Sequence, residues 1–215
     1  MGDVSIPAGR LALEGMLEIP ARPRGVVVFS HGSGSGRFSP RNAYVAGELR
    51  QAHFATLLLD LLTEQEDRDY DNRFDIALLT ERLGHAVHFV EGHAGTRGLP
   101  VGLFGASTGA ASALRVAAAM PHAVRAVVSR GGRPDLAGAA VLRAVEAPTL
   151  LIVGAEDEGV IELNEAARES LTACASELML VPLATHLFEE PGTLEAVARL
   201  AKDWFGRHLR AAVSP

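Results

Sequence analysis

The sequence holds a single cysteine, Cys174, among 215 residues. One cysteine closes no internal disulfide, so a reducing, cytoplasmic setting is the expectation. Long apolar runs are absent as well. None approaches the roughly 20 residues that cross a bilayer. The N-terminal stretch MGDVSIPAGRLALEG has no basic segment leading into an apolar one, so neither a signal peptide nor a membrane partner is expected. Positive charge is in deficit, with 20 Lys and Arg against 26 Asp and Glu and a formal charge of −6. Nucleic acid needs a basic footprint to displace counterions, which excludes it as the expected partner. No paired Cys/His spacing and no G-x-x-x-x-G-K-[ST] loop occurs, so no metal and no cofactor is expected. Repeats, low-complexity tracts and linkers are missing too. Residues 1–215 therefore read as one domain, long enough to bury roughly 70–75% of its unfolded surface without cross-links.

What the sequence does have is alternation. Continuous apolar, β-rich runs fall at residues 26–30, 55–62, 101–106, 126–129, 149–154 and 178–182. Runs of this kind suit strands covered on both faces. Helical spacing fills residues 42–53, 74–90, 109–120, 162–173 and 194–209. Strand and helix in turn make βαβ units and a parallel sheet. Residues 4–6 and 16–19 have no helix between them, and Pro7 and Pro20 suit an edge, so they read as antiparallel edge strands. The expected architecture is an α/β fold with a mostly parallel eight-stranded sheet, helices on both faces and no cap domain. The stretch between the fourth and fifth parallel strands is too short for a cap.

The stretch Phe104-Gly105-Ala106-Ser107-Thr108-Gly109 carries the chemistry. It is G-x-S-x-G between a strand and an Ala-rich helix, the setting in which this motif forms a nucleophile elbow. A serine on so sharp a turn needs small neighbours, which Gly105, Gly109, Ala110 and Ala111 supply. Partners follow in the order acid, then histidine. Asp157 lies just past the run 149–154, flanked by the rival acids Glu156 and Glu158, with Asp135 a more distant alternative. His186 follows the run 178–182, whereas six of the other histidines lie in or beside helices. A serine hydroxyl needs a neighbouring imidazole to take its proton, and the carboxylate orients that imidazole.

The loop His31-Gly32-Ser33-Gly34-Ser35-Gly36 follows the run 26–30. By position the Ser33 N–H is the candidate second oxyanion donor, beside the Thr108 N–H at the start of the next helix. His31 is expected to brace this loop. Gly32 and Gly34 mimic a dinucleotide fingerprint, but Arg37 stands at the third glycine position. Arg37, Arg41 and Arg130 are candidates for holding an anionic substrate, with structural pairing to acids such as Asp135 or Glu64 as the alternative. The acidic stretch Glu64–Asp71 is expected to border the site.

With these motifs in place, FSHGSGSG, FGASTGAA, LLIVGAEDEGV and ATHLFEEPG together resemble the dienelactone-hydrolase-like branch of the α/β-hydrolases over nearly the whole chain. The likeness is strongest to small bacterial hydrolases that also occur fused to phosphoribosyltransferase-like domains. It implies carboxylic-ester hydrolysis with Ser107, Asp157 and His186 as triad. In one respect the chain departs from the family: dienelactone hydrolases proper carry cysteine where Ser107 stands. The expected activity is hydrolysis of a small ester by a monomer or homodimer. Acyl transfer on the same triad, and a silent ligand-binding scaffold, are the alternatives.

Overall fold

The computed structural model describes residues 2–209. Strands β1 (Gly2–Ala8) and β2 (Leu11–Glu18) pair antiparallel across a two-residue turn, with Ile6 opposite Leu13 and Pro7 opposite Ala12. Gly9 adopts φ 65° in that turn, a conformation that costs glycine little. The chain continues through β3 (Gly25–Ser30), α1 (Pro40–Gln51), β4 (Phe54–Leu59) and a single turn, α2 (Glu64–Asp67). A 3-10 turn (Tyr70–Phe74) leads into α3 (Ile76–Gly92), β5 (Val101–Ala106), α4 (Thr108–Ala119) and β6 (Val124–Arg130). A second 3-10 turn (Pro134–Ala137) and α5 (Ala139–Ala144) precede β7 (Thr149–Gly154), α6 (Glu158–Ser170), β8 (Ser176–Val181) and α7 (Thr193–His208).

The eight strands form one sheet in the order β1-β2-β4-β3-β5-β6-β7-β8, parallel from β4 onward. Burial follows position in that order. Every residue of β3, β4, β5 and β7 is buried, whereas β1 alternates buried and exposed at the edge. Pro7 has no N–H to donate, and among the described residues β1 has no neighbouring strand on its outer side. Period-two alternation sends Val26, Val28, Leu57 and Leu103 into one apolar layer under α3 and α4. Val27, Phe29, Phe104 and Val128 enter the other, against Val45 of α1 and Trp204 of α7. Among the described residues no helix is long and apolar enough to cross a membrane.

The structure differs from the sequence expectation at several boundaries, each for a local reason. The run at 55–62 stops being a strand after Leu59, because the Leu61 N–H donates to His31 Nε2 rather than to a neighbouring strand. Helix α6 begins at Glu158, not at 162, with Asp157 as the residue before its first turn. The acidic stretch is not bare loop. Thr63 and Glu66 form a reciprocal capping box that nucleates α2. The crossover from β6 to β7 holds only the second 3-10 turn and α5, and no cap domain.

Candidate active site

Tight backbone approach builds the elbow. A Cβ on Gly105 would lie 2.5 Å from Ala110 Cα, and one on Gly109 would strike the Ser30 carbonyl oxygen. Glycine at both positions lets β5 turn into α4 directly beneath the end of β3. Ser107 between them is held at φ 51°, ψ −123°, a region that disfavours L residues. Such a conformation costs on the order of 1–3 kcal/mol and persists only where surroundings impose it. Three backbone hydrogen bonds impose it here. The Ser107 N–H donates to the Arg130 carbonyl (3.2 Å), and the N–H groups of Arg133 (3.0 Å) and Ala110 (3.1 Å) donate to the Ser107 carbonyl.

At the same sheet end His186 Nδ1 lies 2.6 Å from Asp157 Oδ2. The two loops that carry them are tied to each other: the Ala155 N–H donates to the Val181 carbonyl and the Glu156 N–H to the Ala184 carbonyl. Glu190 fixes the histidine loop from the far side, accepting from the Thr185 N–H (3.1 Å) and hydroxyl (2.6 Å). Sequence reading missed this role for Glu190, which has no motif of its own. The side chain of Asp157 is 18% exposed and that of His186 39%. Glu156 and Glu158 point to solvent, and Asp135 is bound to Arg133 at 2.8 Å. The histidine loop packs beside the elbow strand's neighbour: a Cβ on Gly131 would sit 3.2 Å from the His186 carbonyl oxygen and 3.5 Å from its ring carbon Cε1.

The loop that follows β3 lies against Ser107. A Cβ on Gly32 would be 3.0 Å from Ser107 Cβ and 3.8 Å from its Oγ. His31 anchors this loop. Its Nε2 accepts from the Leu61 N–H at 3.0 Å, which places the ring proton on Nδ1, 2.9 Å from the Gly32 carbonyl. The Ser33 N–H donates to Thr108 Oγ1 at 3.0 Å, a contact that position in the sequence did not foretell.

Burial pushes the His31 pKa below the usual 6.5, outweighing the hydrogen bond to Gly32 that raises it. The folded protein therefore holds this proton less tightly than the unfolded chain. That difference stabilises the fold fully above the unfolded pKa of about 6.5 and is lost as pH falls through the folded value. Acidification below pH of about 6.5 is expected to lower the melting temperature more for wild type than for His31→Gln. Parallel melting curves would remove His31 as the source of the effect.

The three candidate arginines part company. Arg37 is bound to Asp60 through both its guanidinium and its backbone N–H. Its partner is Asp60, where the sequence suggested an acid such as Glu64. Arg41 reaches Glu189 at 3.0 Å. Arg130 is 8% exposed, lies over the Phe188 ring with 5.9 Å between guanidinium carbon and centroid, and among the described residues has no carboxylate partner. Burial, and secondarily the charge of Arg41, pushes its pKa down to about 10. The acidic stretch walls a cleft of about 610 Å³ whose lining includes His31, Ser35, Arg37, Thr63 and Glu64. Glu66 pins that wall through Arg82 at 2.7 Å. Burial opposes the Glu66 charge, but the Thr63 N–H and Arg82 prevail and hold its carboxyl below the ordinary range.

No protein-family model matches the chain. A Mycobacterium tuberculosis protein provisionally named a phosphoribosyl transferase is 57% identical over 208 residues, covering 96% of this chain and 46% of that protein. The chain thus spans about half the length of the curated relatives it matches. The crystal structure of a dienelactone hydrolase from Anabaena variabilis superposes with a TM-score of 0.94 at 52% identity, covering 97% of this chain and 98% of that one. Est1E from Butyrivibrio proteoclasticus shares the fold, with a TM-score of 0.82 at 16% identity over 96% of this chain and 98% of its own. By identity and coverage together, this chain belongs to the dienelactone hydrolase family of the α/β-hydrolases.

Proposed function

We propose that the protein is a serine hydrolase that cleaves small carboxylic esters through an acyl-enzyme on Ser107. The observation that carries this reading is the 2.6 Å contact of His186 with Asp157 at the sheet end where Ser107 is held in its strained turn. His186 Nε2 takes the Ser107 proton as Oγ attacks the ester carbonyl, and the carbonyl π pair moves onto oxygen. Collapse of that intermediate breaks the bond to the alcohol, which leaves with the proton from His186. Water then repeats the sequence, giving the acid and free Ser107. Asp157 stays ionised, fixes the ring proton on Nδ1 and stabilises the imidazolium. The hydrolase name of the Anabaena relative supports this chemistry for the half-length unit that this chain represents. Phosphoribosyl transfer is not assigned to it. Of the candidate anion contacts, Arg130 keeps that assignment, because among the described residues no carboxylate pairs with it.

A fluorophosphonate is expected to add its mass to Ser107 and to halt turnover of p-nitrophenyl acetate and butyrate. The decanoate is expected to react more slowly than the butyrate, because the short β6–β7 crossover encloses no long acyl chain. Wild-type protein that hydrolyses none of these esters and takes no label at Ser107 would sink the proposal. A decanoate rate above the butyrate rate would sink its small-ester part.

A further inference from the structure

The backbone donor that position assigns to the oxyanion, the Ser33 N–H, is already engaged. It donates to Thr108 Oγ1 at 3.0 Å. Thr108 is 3% exposed and opens α4, so its own backbone N–H is one of the first-turn donors that a helix leaves without an internal acceptor. Its hydroxyl accepts from Ser33, and among the described residues no acceptor takes the hydroxyl proton. A buried hydroxyl carries one donor and two lone pairs. Here one lone pair is filled and the donor is unspent. Both residues of this bond adjoin the nucleophile: Ser33 follows Gly32, which packs on Ser107, and Thr108 follows Ser107 directly in the chain.

We infer that the Thr108 hydroxyl is a catalytic hydrogen-bond donor to the oxyanion, with the Ser33 N–H acting through it. The inference rests on the serine-hydrolase reading above and deepens it. An N–H donated into a hydroxyl oxygen polarises the O–H and strengthens the bond that the O–H gives. Thr108 thus presents two donors to one oxygen, its backbone N–H at the positive end of α4 and its hydroxyl. No proton is transferred. The hydroxyl keeps its hydrogen while charge develops on the carbonyl oxygen, and His186 alone carries the Ser107 proton. Threonine at this position in the stretch Gly105-Ala106-Ser107-Thr108-Gly109 is then part of the machinery rather than a spacer.

Thr108→Val keeps the shape and removes the donor, whereas Thr108→Ser keeps the donor. For p-nitrophenyl acetate, Thr108→Val is expected to lose about 10²-fold in kcat, the loss that follows removal of one oxyanion donor, with KM little changed. Thr108→Ser is expected to retain most of the wild-type kcat. A brace for the loop alone would move KM and the melting temperature together and spare this split. Should Thr108→Val fail to fold, a crystal of wild-type protein phosphonylated on Ser107 decides. A phosphoryl oxygen within hydrogen-bond reach of Thr108 Oγ1, about 3 Å, supports the role, and one beyond that reach overturns it. A Thr108→Val enzyme as fast as wild type, or a Thr108→Ser enzyme as slow as Thr108→Val, overturns it equally. Turnover that survives in Ser107→Ala would overturn the serine-hydrolase reading itself and take the Thr108 role with it. An inactive Ser107→Ala beside a fully active Thr108→Val would overturn only the latter.

Discussion

Ser107→Ala is expected to lower kcat for p-nitrophenyl butyrate by about 10⁶-fold, as removal of a triad nucleophile does. Asp157→Asn is expected to cost about 10⁴-fold through the wrong imidazole tautomer. The asparagine amide presents a donor where the carboxylate accepts, so Nδ1 of His186 loses the acceptor now 2.6 Å away. The ring then places its proton on Nε2, where the Ser107 proton must go. Neither change disturbs the scaffold. Ser107 is held by backbone bonds that alanine retains, and Asp157 caps nothing with its side chain. Both variants are therefore expected to melt with wild type, which separates loss of chemistry from loss of fold. Glu156→Gln and Glu158→Gln serve as controls, since both side chains face solvent. Steady-state kinetics on the four variants settles the assignment: an Asp157→Asn enzyme as active as either control would move the acid elsewhere.

Gly109→Ala is expected to be the most damaging small substitution for stability. The added Cβ would collide with the Ser30 carbonyl oxygen and lie 2.5 Å from that of His31. Both obstacles are backbone at the end of a central strand, so neither can rotate away. Overpacking a rigid site costs about 1–3 kcal/mol and occasionally more, and the backbone identity of both neighbours places this case at the top of that range or above. For a protein of this size each kcal/mol lowers the melting temperature by about 2–4 °C. Gly84→Ala is the matched opposite. That glycine lies inside α3, and a Cβ there meets nothing within 4 Å. Relieved of glycine's conformational entropy, the variant is expected to gain about 0.5–1 kcal/mol. Chemical denaturation of the two proteins reads both signs in one experiment. Gly109→Ala unfolding at the wild-type midpoint would mean that β3 and α4 can part without cost.

Much of this molecule was legible from residue order alone, and the reason is geometric. Strands covered on both faces must be apolar throughout, so the runs beginning at 26, 101 and 149 announce themselves whatever surrounds them. The spacing of Gly105, Ser107 and Gly109 encodes a steric requirement that few other residues meet, and chain order then directs attention to an acid near 157 and a histidine near 186. The turn α2 went unread within the acidic stretch, although Thr63-x-x-Glu66 is a capping signature even without an apolar period. What required the tertiary structure was the partnership of polar side chains across distant segments. Arg37 and Arg130 look alike in sequence, yet one meets Asp60 and the other is buried over Phe188 with no counter-charge among the described residues. Glu190 holds Thr185, His31 holds Leu61, and Ser33 gives its N–H to a hydroxyl 75 residues away. Apolar burial acts through area and has no direction, so pattern alone reveals it. A hydrogen bond acts over about 3 Å and within a narrow angle, and only the folded chain decides which donor reaches which acceptor.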